Sequence, residues 1–394
     1  MKRLIEPGTV SISDRQKELV NKVLDSTRLT YGPMTQRFEK EWAEMHQVRH
    51  ALFCNSGTSA LQVGIHALKD KYGWKDGDEI LMPAVTFVAS MNVVLHNNLK
   101  PVFVDIEPKY FSIDPNRIKQ KINNRTKAIM VVHLLGHPAL MDEIMNIAKQ
   151  YNLKVIEDSC ETVAAIFDGK PVGSFGDISC FSTYASHIVT TGVGGFACTN
   201  DDDLAVRIKG LYNHGRDGIY HSIDDDNSSK IDMIKSRFNF IHSGYSYRLT
   251  ELEAALGLGH LDRIRPELIK RQENADQLIT QLRSLEDDNL LTLPVVHSRA
   301  THSFMLFPIV LGATVDREKV LHYLEDNGVM TRFIMPLLNQ PIVKKMFGDI
   351  EKNYVITEIV DRKGFLVGIH QGLNRDDIEY MARYIYKGVR KYAN

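Results

Sequence analysis

Three consecutive segments decide the fold: KAIMVVHLLG (127–136), LMDEIMNIAKQY (140–151) and LKVIEDS (153–159). The first and third are apolar runs of strand length. The second carries apolar residues at three- and four-residue spacing, the pattern of an amphipathic helix. Strand, helix and strand in this order argue for an α/β domain with a mainly parallel sheet. The second strand ends on the acid pair Glu157-Asp158.

The alternation extends in both directions. Upstream come HALFCNS (50–56), the helical SALQVGIHALKDKY (59–72), EILMPAV (79–85) and PVFVDI (101–106). Downstream lie DISCFSTY (177–184) and GFACT (195–199). Two turn signals, FDGKPVG (167–173) and GVGGF (192–196), suggest hairpin-like excursions. From about residue 250 the character changes. A long helical region (250–285) holds Pro266, which should break it or start its second segment. A strand (303–311), a helix (317–328) and a terminal helix (376–392) then complete a smaller α+β domain. The division expected is therefore 1–250 for a large α/β domain and 251–394 for a small one.

Composition narrows the function classes. The 394 residues are 43% hydrophobic and 25% charged, ordinary for a soluble globular chain, with a formal net charge of -1. No global field favours nucleic acid or an anionic membrane, and no basic stripe suggests a nucleic-acid partner. The acidic run Asp224–Asp226 reads as a solvated loop. No window reaches the ~18 uninterrupted apolar residues of a membrane span. The opening MKRLIEPGTVSISDRQ lacks the pattern of a signal peptide, so the cytoplasm is the expected compartment. Cys54, Cys160, Cys180 and Cys198 show no C-x-x-C or C-x-C spacing, which argues against a locally built metal or iron–sulfur site and for reduced, buried thiols.

Five stretches carry candidate chemistry, each with a plain structural alternative. NSGTSALQ (55–62) opens a helix, where backbone N–H groups form an anion site and Gly57 permits close approach; a simple N-cap would look the same. Asp158 ends a strand at the sheet edge where ligands sit, and could hold a protonated pyridine nitrogen or merely cap the next element. Phe87 in PAVTFVASMN (83–92) could stack on a ring, though such aromatics are usually core. YASHIVTTGVGG (184–195) follows a strand, with Ser182 five residues before His187 and glycines at 192, 194 and 195. SGYSYRLTELEAALG (243–257) combines a turn, an arginine and a helix start at which Thr250 could be the N-cap.

Their order along the chain is the distinctive feature. NSGTSAL, PAVTF, IEDSCE, CFSTYASHIVTTGVGG, NHGRD and GYSYRLTELEAALG together resemble the motif set of the DegT-type nucleotide-sugar aminotransferase and dehydratase family, pyridoxal-phosphate enzymes of fold type I. The resemblance runs from about residue 5 to the C-terminus. It implies a mainly parallel seven-stranded sheet sandwiched by helices, and pyridoxal 5′-phosphate or pyridoxamine 5′-phosphate as cofactor. It further implies that Gly57 and Thr58 cradle the cofactor phosphate with Ser182, that Phe87 stacks on the ring and that Asp158 binds its nitrogen. The segment 244–248 would reach the neighbouring subunit's site, making a homodimer the working unit.

Three positions depart from the aminotransferase pattern. His187 stands where those enzymes carry the Schiff-base lysine, Glu161 where they usually carry Gln or His at the ring's edge, and Ser246 where they carry Asn. An imidazole cannot take the lysine's covalent role, and Lys170, the nearest upstream lysine, sits in what reads as an exposed turn. Histidine titrates near ~6.5 against ~10.4 for lysine, so it suits proton transfer at neutral pH. This resembles the 3-dehydratase branch of the family, which also places His at that position; EDSCE and GFLVGIHQ (364–371) lean the same way. The branch that uses an iron–sulfur cluster has clustered cysteines, which this chain lacks. The function expected is 3-dehydration of a 4-keto nucleotide sugar, with glutamate restoring the aminated cofactor, in deoxysugar or surface-polysaccharide biosynthesis. Two alternatives stay open: a sugar aminotransferase whose lysine has been replaced, and a non-catalytic binder of cofactor or sugar phosphate. Arg216, Arg332 and His370 are candidate substrate contacts by chemistry alone.

Overall fold

The computed structural model of the chain describes residues 3–217 and 238–393. The acidic run 224–226 lies outside the described residues. Nine strands belong to the first part of the chain: β1 (His50–Cys54), β2 (Glu79–Pro83), β3 (Lys100–Val104), β4 (Thr126–Val132), β5 (Lys154–Asp158), β6 (Ile166–Phe167), β7 (Lys170–Pro171), β8 (Ile178–Ser182) and β9 (Gly195–Thr199). Seven of them form one sheet in the order β1-β9-β8-β5-β4-β2-β3. β3, β2, β4, β5 and β8 pair in parallel, and β9 runs antiparallel to both β8 and β1. The two remaining strands make the small antiparallel ribbon at FDGKPVG. The GVGGF signal is the return from β8 into antiparallel β9.

Strands buried on both faces need near-continuous apolar sequence, and β2, β8 and β9 are buried at every position. Period-2 alternation then divides the side chains. Ile80 and Met82 join one core with Leu61, Val63 and Leu68, all on the helix Gly57–Tyr72. Leu81 joins another with Ile144 and Ile147, on the helix Met141–Tyr151. Phe53, Phe181 and Phe196 pack with Phe38 and Trp42 of the helix Pro33–Met45, where Trp42 stacks on Phe196 at 4.3 Å. Helices therefore cover both faces, the sandwich expected from the motifs.

The helical region after residue 250 is two helices, Glu251–Leu261 and Ile264–Asp287, with Pro266 in the first turn of the second. Ala254, Ala255 and Leu258 of the first pack into the core beneath Phe38, against the helices Asp14–Ser26 and Pro33–Met45. The second runs into a separate core built on an antiparallel sheet of β10 (Leu291–Thr292), β11 (Phe307–Leu311), β12 (Thr331–Arg332) and β13 (Gly364–Val367), in the order β10-β11-β13-β12. Ile5 also belongs to this core, exchanging backbone hydrogen bonds with Gly328 and Met330. The start of the chain is thus held against this second body. Among the described residues no helix is long and apolar enough to cross a membrane.

Candidate active site

A cavity of about 1130 Å³ opens where the C-terminal edge of the large sheet meets the second body. Ligands of open α/β sheets sit at such an edge. Asp158 and Ser182 are the last residues of β5 and β8. Gly57 begins the helix Gly57–Tyr72, whose N-cap Ser56 accepts from the Ser59 N–H, and Phe87 is the N-cap of the helix Val88–His96. The first N–H groups of a helix have no intrahelical partner, so Gly57 and Thr58 can offer theirs to an anion. A Cβ at Gly57 would stand 2.6 Å from Cys160 Sγ and 2.9 Å from Ser182 Cβ, so only glycine fits.

Gly57, Thr58, Phe87, Asp158, Glu161, Ser182 and His187 all line this cavity, and Arg332 lines it from β12. Ser246, Arg216 and His370 do not. Ser246 pairs with Asn213 through backbone, and its hydroxyl accepts from Arg248, which also meets His214 Nε2 at 2.8 Å. His370 is buried outside the cavity's lining, and burial pushes its imidazole down to about 4, with the Glu6 backbone opposing in part.

Asp158 is 5% exposed. Its Oδ2 accepts from the Ser90 hydroxyl at 2.7 Å and its Oδ1 from the Cys160 N–H at 3.2 Å. Burial raises its proton affinity, and the Ser90 and Cys160 donors oppose that. Glu161 accepts from the Leu135 N–H at 2.9 Å; burial, with Asp158 as a neighbouring charge, pushes its carboxyl up to about 7. Behind this wall the Glu157 carboxylate takes the N–H groups of Gly173, Phe175 and Gly176, together with His133 Nε2.

His187 sits in the loop joining β8 to β9. Its N–H donates to the Tyr184 carbonyl at 2.9 Å, and the Tyr184 ring stands edge-on at 6.0 Å. The loop is closed by the paired hydroxyls of Thr183 and Thr191, 2.6 Å apart. The imidazole Nδ1 is buried and makes no hydrogen bond. Burial pushes the ring down to about 4, with the Ser182 backbone opposing in part, so it is neutral at pH 7. No lysine lies among the described residues lining the cavity, and Lys170 is exposed on the β6–β7 ribbon. Among the described residues no group of three His, Cys, Asp or Glu is arranged to hold a metal.

Sequence reasoning passed over several lining residues. Residues 6–10, Met305, Met330 and Phe333 come from distant segments and leave no local pattern. Thr86 and Ser90 did carry a signal: they flank Phe87 four residues apart, the spacing of neighbours on one helical face.

The model of the DegT/DnrJ/EryC1/StrS aminotransferase family matches residues 10–386. The chain is 33% identical over 372 residues to a GDP-perosamine synthase of Caulobacter vibrioides, covering 93% of this chain and 94% of the relative. It is 32% identical over 401 residues to a dTDP-4-dehydro-2,6-dideoxy-D-glucose 3-dehydratase of Saccharopolyspora spinosa, covering 98% and 86%. Its fold matches the structure of an E. coli GDP-4-keto-6-deoxy-D-mannose-3-dehydratase with bound hydrated pyridoxal phosphate, at a TM-score of 0.87 and 27% identity over 97% of this chain and all of that one. The lining residues fit such a cofactor: a glycine-opened helix start for a phosphate, a buried carboxylate for a protonated ring nitrogen, and an aromatic at the rim. The chain belongs to the DegT/DnrJ/EryC1/StrS aminotransferase family and is a pyridoxal-phosphate-dependent, sugar-modifying enzyme.

Proposed function

We propose that this enzyme is a 3-dehydratase of a 4-keto nucleotide sugar, a cytoplasmic homodimer that uses pyridoxamine phosphate and recovers it from pyridoxal phosphate with glutamate. The observation that carries the reading is His187: a neutral imidazole whose buried Nδ1 makes no hydrogen bond, in a cavity that no described lysine lines. When bound, the aminated cofactor supplies a primary amine that condenses with a ketone and a ring that accepts electrons.

This chain's residues do the rest. The Gly57 and Thr58 amides and the Ser182 hydroxyl hold the phosphate. Asp158 would keep a proton on the ring nitrogen, and Phe87 and Glu161, which line the same cavity, would help hold the ring. A neutral His187 would accept the proton released at the cofactor's amine-bearing carbon and return it to the oxygen of the departing C3 hydroxyl, which would leave as water rather than as hydroxide. Ser246, which stands outside its own chain's cavity, would serve the partner copy's site in such a homodimer, as the family resemblance implies. The product would feed deoxysugar assembly for a surface polysaccharide or a glycosylated metabolite.

The kinship to GDP-perosamine synthase favours a second reading, amino-group transfer to the same class of keto-sugar. That chemistry ordinarily uses a lysine amine where this chain has His187. Trapping of the cofactor and analysis of the product separate the two. Protein with pyridoxal phosphate should convert to the pyridoxamine form on adding glutamate, yield no borohydride-fixed protein adduct, and then consume a 4-keto nucleotide sugar with loss of its 3-hydroxyl. A covalent adduct on some lysine, or an amino-sugar product, would replace the dehydratase with the aminotransferase.

A further inference from the structure

Asp158 does not stand alone in the cavity wall. Ser90 Oγ lies 2.7 Å from its Oδ2, and Thr86 Oγ1 lies 2.8 Å from Ser90 Oγ. A serine hydroxyl has one proton. Because Ser90 gives that proton to the carboxylate, it must accept from Thr86, which fixes the direction of the chain as Thr86 to Ser90 to Asp158. All three side chains are at most 5% exposed, so no water competes freely for these bonds. Ser90 also donates its backbone N–H to the Phe87 carbonyl at 3.2 Å. One helical turn therefore presents Phe87 to the cavity and holds the acid beside it.

We infer that Ser90, itself held by Thr86, is a positioning residue that keeps the Asp158 carboxylate oriented and ionised towards the cofactor's ring nitrogen. The inference rests on the cofactor contact proposed for Asp158. Hydroxyl donors favour the charged carboxylate, and successive hydrogen bonds polarise one another. Without the Ser90 donor the carboxylate becomes more basic and draws the proton from the ring nitrogen to itself, leaving a neutral ring that accepts electrons less readily.

The test is binding and spectroscopy on the whole protein, with no sugar present. Ser90→Ala should weaken pyridoxal phosphate binding about 10-fold or more, as expected for a lost hydrogen bond to a charged group. With ring-nitrogen-labelled cofactor, its 15N resonance should move towards the unprotonated position, while Ser90→Thr retains the wild-type resonance. Thr86→Val, which leaves Ser90 in place, should shift the resonance the same way by less, and it carries the test if the alanine variant does not fold. Binding within 2-fold of wild type together with an unmoved resonance in Ser90→Ala would overturn the inference. An Asp158→Asn variant that leaves the resonance unmoved would instead overturn the proposed contact of Asp158 itself, a separate failure.

Discussion

The two walls of the cavity are built on opposite terms. On one side the Asp158 carboxylate has a donor on each oxygen, and the Gly57 turn is packed so closely that a single methyl would not fit. On the other side His187 presents a buried Nδ1 that makes no hydrogen bond. An unpartnered buried polar atom costs about 1–3 kcal/mol, and one that lines a cavity, as here, is available to a ligand or a reacting group. The difference teaches a division of labour: the first wall is finished before anything binds, and the second is left for the reacting groups to finish.

The largest effect should come from the unfinished wall. His187→Ala should lower dehydration by about 10²–10⁴-fold, the usual contribution of a positioned acid–base group. Pyridoxal phosphate should bind the variant nearly as well as wild type, by spectrophotometric titration. A variant that turned over normally would break the contrast, because His187 would then be only a loop residue. His187→Lys sharpens it from the other direction: a borohydride-fixed adduct at residue 187 should appear, with the 3-dehydration lost.

On the finished wall the damage should be to affinity rather than turnover. Gly57→Ala puts a methyl against Cys160 and Ser182, and should weaken cofactor binding by about 10- to 100-fold, since strain of 1–3 kcal/mol is typical for an overfilled site. At saturating cofactor the rate should recover most of its wild-type value. If the rate fell and affinity held, the two walls would not be separable as drawn.

Much of this was legible in the chain and some was not, for physical reasons. The 127–159 segment announces strand, helix and strand because both periodicities are local, and β4, β5 and their helix appear where the pattern puts them. His187 and the Gly57 turn were legible as departures and matches within a known order of motifs. Arg216, His370 and residues 6–10 show the limit. An arginine or histidine has suitable chemistry anywhere, but its address is set by contacts between distant segments, and residues 6–10 reach the cavity only because Ile5 pairs beside Val329. Ser90 fell between these cases. Its spacing from Thr86 was visible, while its bond to Asp158, 68 residues away, was not.

The last effect sharpens the comparison by asking what Glu161 does between the walls. Its folded proton affinity is raised from 4.5 to about 7, first by burial and further by the charge of Asp158. The folded protein therefore holds a proton there that the unfolded chain has already released, so stability falls as pH rises from about 4.5 to about 7 and is level beyond. Glu161→Gln removes that slope while keeping an acceptor for the Leu135 N–H. The cofactor-free variant should gain about 3 kcal/mol at pH 8 relative to wild type and little at pH 4.5, read from denaturant midpoints at the two pH values. Cofactor added at pH 8 should narrow the gap if the bound ring edge shares the Glu161 proton, and this would place Glu161 with the unfinished wall. A gap that cofactor leaves unchanged would place it with Asp158, as part of the wall already complete.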